Sequence, residues 1–192
     1  EADAQLGLGN LYVNGEGVEQ DFDEAEKWFM KAAEQGLAGG QYNIGLLYAQ
    51  GWTGEQDSDK AVAWWLKAAA QEHAGSEYQL GLAHEHGWGA EADMAAAIDW
   101  YTRSAERGYA SAQYMLGLIY TKGRSVEIDA AAAAGWYRKA ADQGFAEAEY
   151  NLGVLYFKGE GVEEDYAKAA QFYQSAADKG SIDAQNNLAG MY

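Results

Sequence analysis

Apolar residues in this chain fall at helical spacing twice in each stretch of about 36 residues, and the stretch then recurs. In residues 40–48, Gly40, Ile44, Leu47 and Tyr48 stand at i, i+4, i+7 and i+8, one face of a helix. In residues 57–69, Ala61, Trp64, Trp65, Ala68 and Ala69 stand at i, i+3, i+4, i+7 and i+8, a second amphipathic helix. A polar, glycine-containing loop separates the two. The pair predicts an all-α fold of antiparallel helix pairs.

The recurrence is exact in its landmarks. Gly9, Gly45, Gly81, Gly117 and Gly153 are 36 residues apart, as are Asp21, Asp57, Asp93, Asp129 and Asp165. Trp28, Trp64, Trp100 and Trp136 keep the same spacing, with Phe172 in the fifth place. A fixed period between 20 and 50 residues is the mark of a stacked array, each unit burying its apolar face against its neighbours. The expected organisation is one array over residues 1–192, with repeats at 2–36, 37–72, 73–108, 109–144 and 145–180 and a partial sixth at 181–192. No polar cap precedes Ala2, and the sixth unit stops where its loop should begin, so a piece of a longer protein is expected.

Each landmark has a physical reading. Glycine inside a helix costs about 1 kcal/mol relative to alanine, so Gly45 and its equivalents imply a close approach by another helix. The tryptophans are expected to be largely buried between helices. Gly36, Gly108, Gly144 and Gly180 suit the left-handed residue that ends a helix. Glu72 takes that place in the second repeat, where a different ending is expected. The five aspartates are read as caps of the second helices rather than as a metal or acid–base cluster. Glu24, three residues after Asp21, has capping-box spacing.

Composition narrows the partners. The net charge is −17, which repels nucleic acid phosphates and anionic lipid headgroups. A basic or mixed polar protein or peptide remains compatible, and so does charge serving solubility alone. There is no cysteine, so disulfide and thiol chemistry are excluded. No apolar run is long enough for a transmembrane helix, and no signal-peptide pattern opens the chain.

The units resemble Sel1-like repeats, relatives of the tetratricopeptide repeat. The fifth carries the pattern almost whole: Ala146, Ala148, Leu152, Gly153, Tyr156, Gly159, Gly161, Val162, Asp165, Ala169, Phe172, Tyr173, Ala176, Ala177 and Gly180. The tetratricopeptide period is 34 and lacks the glycine loop, which makes it the second choice. The resemblance implies a right-handed superhelical α-solenoid with the first helices lining a concave side. It also implies an adaptor or scaffold role, and many bacterial relatives are exported. Two departures stand out. Cysteine is absent, unlike the disulfide-bearing branch, and Glu19, Glu127 and Glu163 stand where many members have proline, so less rigid loops are expected.

No catalytic constellation or cofactor motif is present: no nucleophile elbow, phosphate-binding loop or dinucleotide fingerprint. A non-enzymatic chain without cofactor or metal is expected. The three histidines, His73, His84 and His86, lie together in the third repeat, with Glu85 beside them. His84 and His86 point about 200° apart on a helix, and His73 sits about 16 Å from His84 along it. A partly buried, hydrogen-bonded His84 is therefore preferred to a metal site.

Two features suggest where a partner binds. The first helices carry a ladder of Tyr42, Tyr78, Tyr114 and Tyr150, accompanied by Asn43, Gln79, Met115 and Asn151. These lie off the core face and either line the concave groove or serve helix packing. The second is Trp52 and Trp88, at equivalent loop positions where other repeats have Glu16, Arg124 and Glu160. The same two loops replace valine with Gly54 and Ala90. Exposed, these rings would be binding hot spots; folded back, they would cover their own loops. A non-catalytic protein-interaction scaffold follows, with a glycan- or cell-wall-binding module and a purely structural array as alternatives.

Overall fold

The computed structural model describes residues 1–191 and is helical, with no strand among the described residues. Eleven helices follow in order: α1 (Ala2–Asn14), α2 (Phe22–Glu34), α3 (Ala38–Gln50), α4 (Ser58–Ala69), α5 (Ala74–His86), α6 (Met94–Glu106), α7 (Ala110–Lys122), α8 (Ala130–Ala141), α9 (Ala146–Lys158), α10 (Tyr166–Asp178) and α11 (Ile182–Gly190). They divide into two compact units, Glu1–Trp100 and Tyr101–Tyr192. Consecutive helices pack on one another from α1 to α5 in the first unit and from α7 to α11 in the second. Tyr192, the last residue of the expected partial repeat 181–192, lies outside the described residues.

The helix glycines are where they are because an aromatic ring occupies the space of a side chain. A Cβ on Gly45 would collide with the Trp65 indole, one on Gly9 with Phe29 and one on Gly117 with Tyr137. On Gly153 it would lie 2.8 Å from the Tyr173 ring. The buried aromatic is thus the residue after the one expected. Phe29, Trp65, Tyr101, Tyr137 and Tyr173 are buried, whereas Trp28, Trp64, Trp100 and Trp136 are only half-buried. The expectation that those four tryptophans sit deep between helices is corrected: they flank the core, and lysines roof three of them. Lys31 lies 3.8 Å over Trp28, Lys67 lies 3.6 Å over Trp64, and Lys139 lies 3.9 Å over Trp136.

All five aspartates cap their helices. Asp21, Asp57, Asp129 and Asp165 accept from the backbone N–H three residues on, at 2.9 Å, and Asp93 accepts from Ala95 and Ala96. The Lys60 backbone N–H and ammonium hold the Asp57 carboxyl below the usual carboxylate range, and Lys168 does the same for Asp165. The backbone N–H of each aspartate in turn reaches the carbonyl of Tyr12, Tyr48, His84, Tyr120 or Tyr156, closing the loop onto the first helix. This claims the donor that a capping box would use. Glu24 turns instead to Lys27, at 2.7 Å, so the expected box is not formed. Glu72 also departs from expectation: at φ 63° it adopts the left-handed conformation of Gly36 and Gly108, and the helix ends as the others do. For a non-glycine residue that conformation costs about 1–2 kcal/mol.

A polar row joins the helices at the edge of the core. In the first, second, fourth and fifth repeats a residue at the end of the second helix bonds one in the first. Gln35 donates to Gln5 at 2.5 Å, Gln71 to Gln41 at 2.9 Å, Gln143 to Gln113 at 2.8 Å and Lys179 to Glu149 at 2.5 Å. The glutamines also reach back one repeat to a backbone carbonyl: Gln41 to Ala33, Gln113 to Ala105 and Gln185 to Ala177. Glu149 has no amide donor for that second bond, and its Oε2 is buried without a partner.

Candidate interaction surface

The loop tryptophans stand out of the core. Trp52 is 45% exposed and Trp88 is 56% exposed, among the larger apolar side chains open to solvent. Their immediate surroundings differ. Trp52 lies stacked on Phe22 at the start of α2, ring centroids 4.9 Å apart and 26° between planes. Trp88 stacks on His86 at 4.4 Å and 28°. Both indoles therefore keep an open face while an aromatic neighbour fixes their orientation.

The tyrosine ladder is half-buried throughout, as are its companions Asn43, Gln79, Met115 and Asn151. In the first unit Tyr42 packs on His73 at 4.9 Å, and Asn43 donates to Asn10 at 3.1 Å. Burial pushes the Tyr78 hydroxyl up, with the Glu85 charge adding to it. In the second unit Tyr114 packs on Phe145 at 5.2 Å and Tyr137 at 6.0 Å. Burial raises the Tyr114 hydroxyl while the Asn151 amide works against it. Tyr150 packs on Tyr173 at 5.9 Å and accepts from Asn187 at 3.4 Å. The ladder rings are thus part of the packing, and each stays partly open to solvent. Tyr137, beneath them, has its hydroxyl pushed up to about 12 by burial.

The histidines are engaged one by one. His73 caps α5, its Nδ1 accepting from the Ser76 N–H at 3.2 Å, and burial lowers its pKa. His84 Nδ1 faces the Glu91 carbonyl at 3.1 Å, and His86 serves the Trp88 stack. Among the described residues no three histidine, aspartate or glutamate side chains gather in a way that could hold a metal ion.

Beneath Trp88 lies a cavity of about 190 Å³ between α3, α4 and α5. Trp65, Gln50, Gln56 and Ser58 line it, with Gln79 from the expected site. Sequence reasoning missed the first four. The available signal was only a difference between the first two repeats at positions that vary in all five: Ser58 stands where the first repeat has Phe22, and Ala49 at the cavity wall where it has Val13.

Helix pairs of this period, with a glycine–aromatic contact and an aspartate-capped loop, define an α-helical repeat class. The Sel1 repeat pattern matches residues 2–37, 38–73, 74–109, 110–145 and 146–181, and the chain belongs to the Sel1 repeat family. Members of this family generally mediate protein–protein interactions and are typically non-catalytic scaffolds. A Sel1 repeat protein from Oxalobacter formigenes is 37% identical with a TM-score of 0.86, covering 100% of this chain and 76% of its own. A protective antigen present in uropathogenic Escherichia coli strains is 35% identical with a TM-score of 0.90, and 97% of this chain covers 40% of that protein. An immunity protein from Pseudomonas aeruginosa is 25% identical with a TM-score of 0.65, covering 95% of this chain and 66% of its own. No curated protein sequence matches significantly. No helix among the described residues is long and apolar enough to cross a membrane.

Proposed function

We propose that this chain is a non-catalytic interaction scaffold that binds a basic or mixed polar protein or peptide through its first helices and adjoining loops. The observation that carries this reading is the exposure of Trp52 and Trp88, two oriented indoles at equivalent loop positions in consecutive repeats. Hot spots of protein interfaces are enriched in tryptophan and tyrosine, and a large apolar ring held in solvent is a cost that binding removes. Tyr42, Asn43, Tyr78 and Gln79 provide the polar and aromatic edges beside them in the first unit. Tyr114, Met115, Tyr150 and Asn151 provide the same kind of surface in the second. The charge of −17 favours a basic partner and disfavours nucleic acid.

The test compares the chain with its Trp52→Ala/Trp88→Ala form in an affinity pull-down followed by titration calorimetry against each captured protein. The double substitution is expected to weaken binding by at least about 2 kcal/mol, the hot-spot threshold, with helicity unchanged by circular dichroism. Affinity for a basic partner falls as salt rises. Unchanged binding together with a lower melting temperature would make the tryptophans structural. Salt-insensitive binding of an oligosaccharide that quenches tryptophan fluorescence would move the function to glycan recognition.

A further inference from the structure

The space beneath the loop tryptophan occurs twice in the first unit, and the two copies are internal controls for each other. In the first copy Val13, Phe29, Asn43 and Trp52 enclose about 50 Å³. Their equivalents 36 residues on, Ala49, Trp65, Gln79 and Trp88, enclose about 190 Å³. Several positions differ between the copies, Leu47 and its equivalent Ala83 among them, and two differences lie directly at the loop tryptophan and the wall. Ala49 is smaller than Val13, and Ser58 stands where Phe22 supplies the ring on which Trp52 lies. The first copy leaves little room beneath its tryptophan, and the second leaves more.

We propose that the second cavity receives one arginine side chain of a basic partner, with its guanidinium against the indoles of Trp65 and Trp88. This rests on the scaffold reading above and names the group that the scaffold grips. The volume lies below the roughly 300–1,000 Å³ of sites for drug-sized ligands, so one side chain is the fitting occupant. The wall offers indole rings and the amides of Gln50, Gln56 and Gln79, with no charged side chain among the lining residues. Arginine matches both. Its planar guanidinium stacks on aromatic faces and is a donor only, and the glutamine carbonyl oxygens accept. Lysine carries a compact, strongly hydrated ammonium and loses more on leaving water. The net charge of −17 concentrates cations at the surface.

The chain itself already answers its half-buried aromatics with cations. Lysines lie over Trp28, Trp64 and Trp136. Arg138 lies 4.9 Å over Phe172 and 5.5 Å over Tyr156, whose hydroxyl accepts from it. At Trp88 the neighbouring ring is His86 from the same helix end, and the indole remains more than half exposed. A cation supplied by a partner would complete there what the chain completes for itself elsewhere.

The experiment titrates the intact chain at pH 7.5 with the capped peptide Gly-Ser-Arg-Ser-Gly and with its lysine and citrulline counterparts. The indole N–H signals are followed by NMR. The arginine peptide is expected to shift the Trp65 and Trp88 signals saturably. Citrulline, which keeps the shape and loses the charge, is expected to bind about fivefold more weakly or worse. Trp88→Ala abolishes the effect, and so does the filled form carrying Ala49→Val and Ser58→Phe, which brings the first repeat's residues to those two positions. Circular dichroism checks the fold, and if the filled form unfolds Trp88→Ala decides alone. Equal binding of citrulline, shifts that persist in the filled form, no shift at all, or shifts caused by chitotriose instead would each overturn the proposal. A protein partner bound as tightly by the filled form as by the original would overturn the arginine pocket alone. Failure of the scaffold reading would show instead as no protein partner for any form.

Discussion

Trp52 and Trp88 share a repeat position, a residue type and a loop, yet they do different work. Trp52 is stacked on Phe22 of the preceding repeat, over a space of about 50 Å³. Trp88 finds Ser58 at the corresponding place, turns to His86 and stands over about 190 Å³. What a repeat position does is therefore decided by residues about 30 positions away, in the neighbouring unit. An aromatic in a loop becomes a lid or a jaw according to what the previous repeat places beneath it.

The comparison breaks most visibly at its floor. Trp65→Ala and Phe29→Ala should each destabilise the chain by about 3–5 kcal/mol, since both rings are buried against a helix glycine. Trp64→Ala, removing a half-buried ring, should cost clearly less in the same denaturant titration. A larger loss for Trp64 than for Trp65 would reverse the assignment of the core aromatic. The next effect is at the lid. Phe22→Ala removes the ring under Trp52 and should cost about 0.5–1.5 kcal/mol, the worth of an aromatic pair. Ser58→Phe should recover a comparable amount at Trp88 while quenching or shifting its fluorescence. An unchanged emission spectrum would mean that the two loops are not interchangeable.

The smallest effect distinguishes the helices that wall the two spaces. The helix α5 starts at His73, whose equivalent at the start of α3 is Leu37. Burial lowers the His73 pKa below its ordinary 6.5, so the folded chain holds it neutral and the unfolded chain takes up the proton first. Its contribution is complete above pH 6.5 and is lost as pH falls from there through the folded value. His73→Asn should remove that part of the pH dependence in melting curves between pH 7.5 and 5. If the slope survives, the proton binds elsewhere.

The helix pairs, the caps and the meaning of the glycines were legible because each depends on local spacing. Which aromatic is buried was not. Trp64 and Trp65 both fall within the apolar arc of one helix, and the choice between them is made by where Gly45 of the facing helix passes. The Glu72 ending was misjudged because backbone strain at one residue is outweighed by packing on both sides of it. The loop tryptophans were legible as departures from the repeat rule, but their exposure depended on Phe22 and Ser58. Those positions read from the sequence only as helix starts. The cavity was missed for the same reason.

The glutamine row has a consequence for how such chains change over time. Its side chain–side chain bonds, such as Gln71 to Gln41, lie within one repeat. Its bonds across a repeat boundary, such as Gln41 to the Ala33 carbonyl, end on backbone. Neither contact requires a particular side chain from the neighbour. A repeat that is copied, deleted or moved carries its own matching partner with it and finds the same carbonyl wherever it lands. Glu149 and Lys179 keep only half of this arrangement: their ionic pair makes the contact within the repeat, while Glu149 has no amide to donate to the preceding unit's carbonyl. The row is thus a standard coupling, and it lets the loops diversify while the order of the modules stays open to rearrangement.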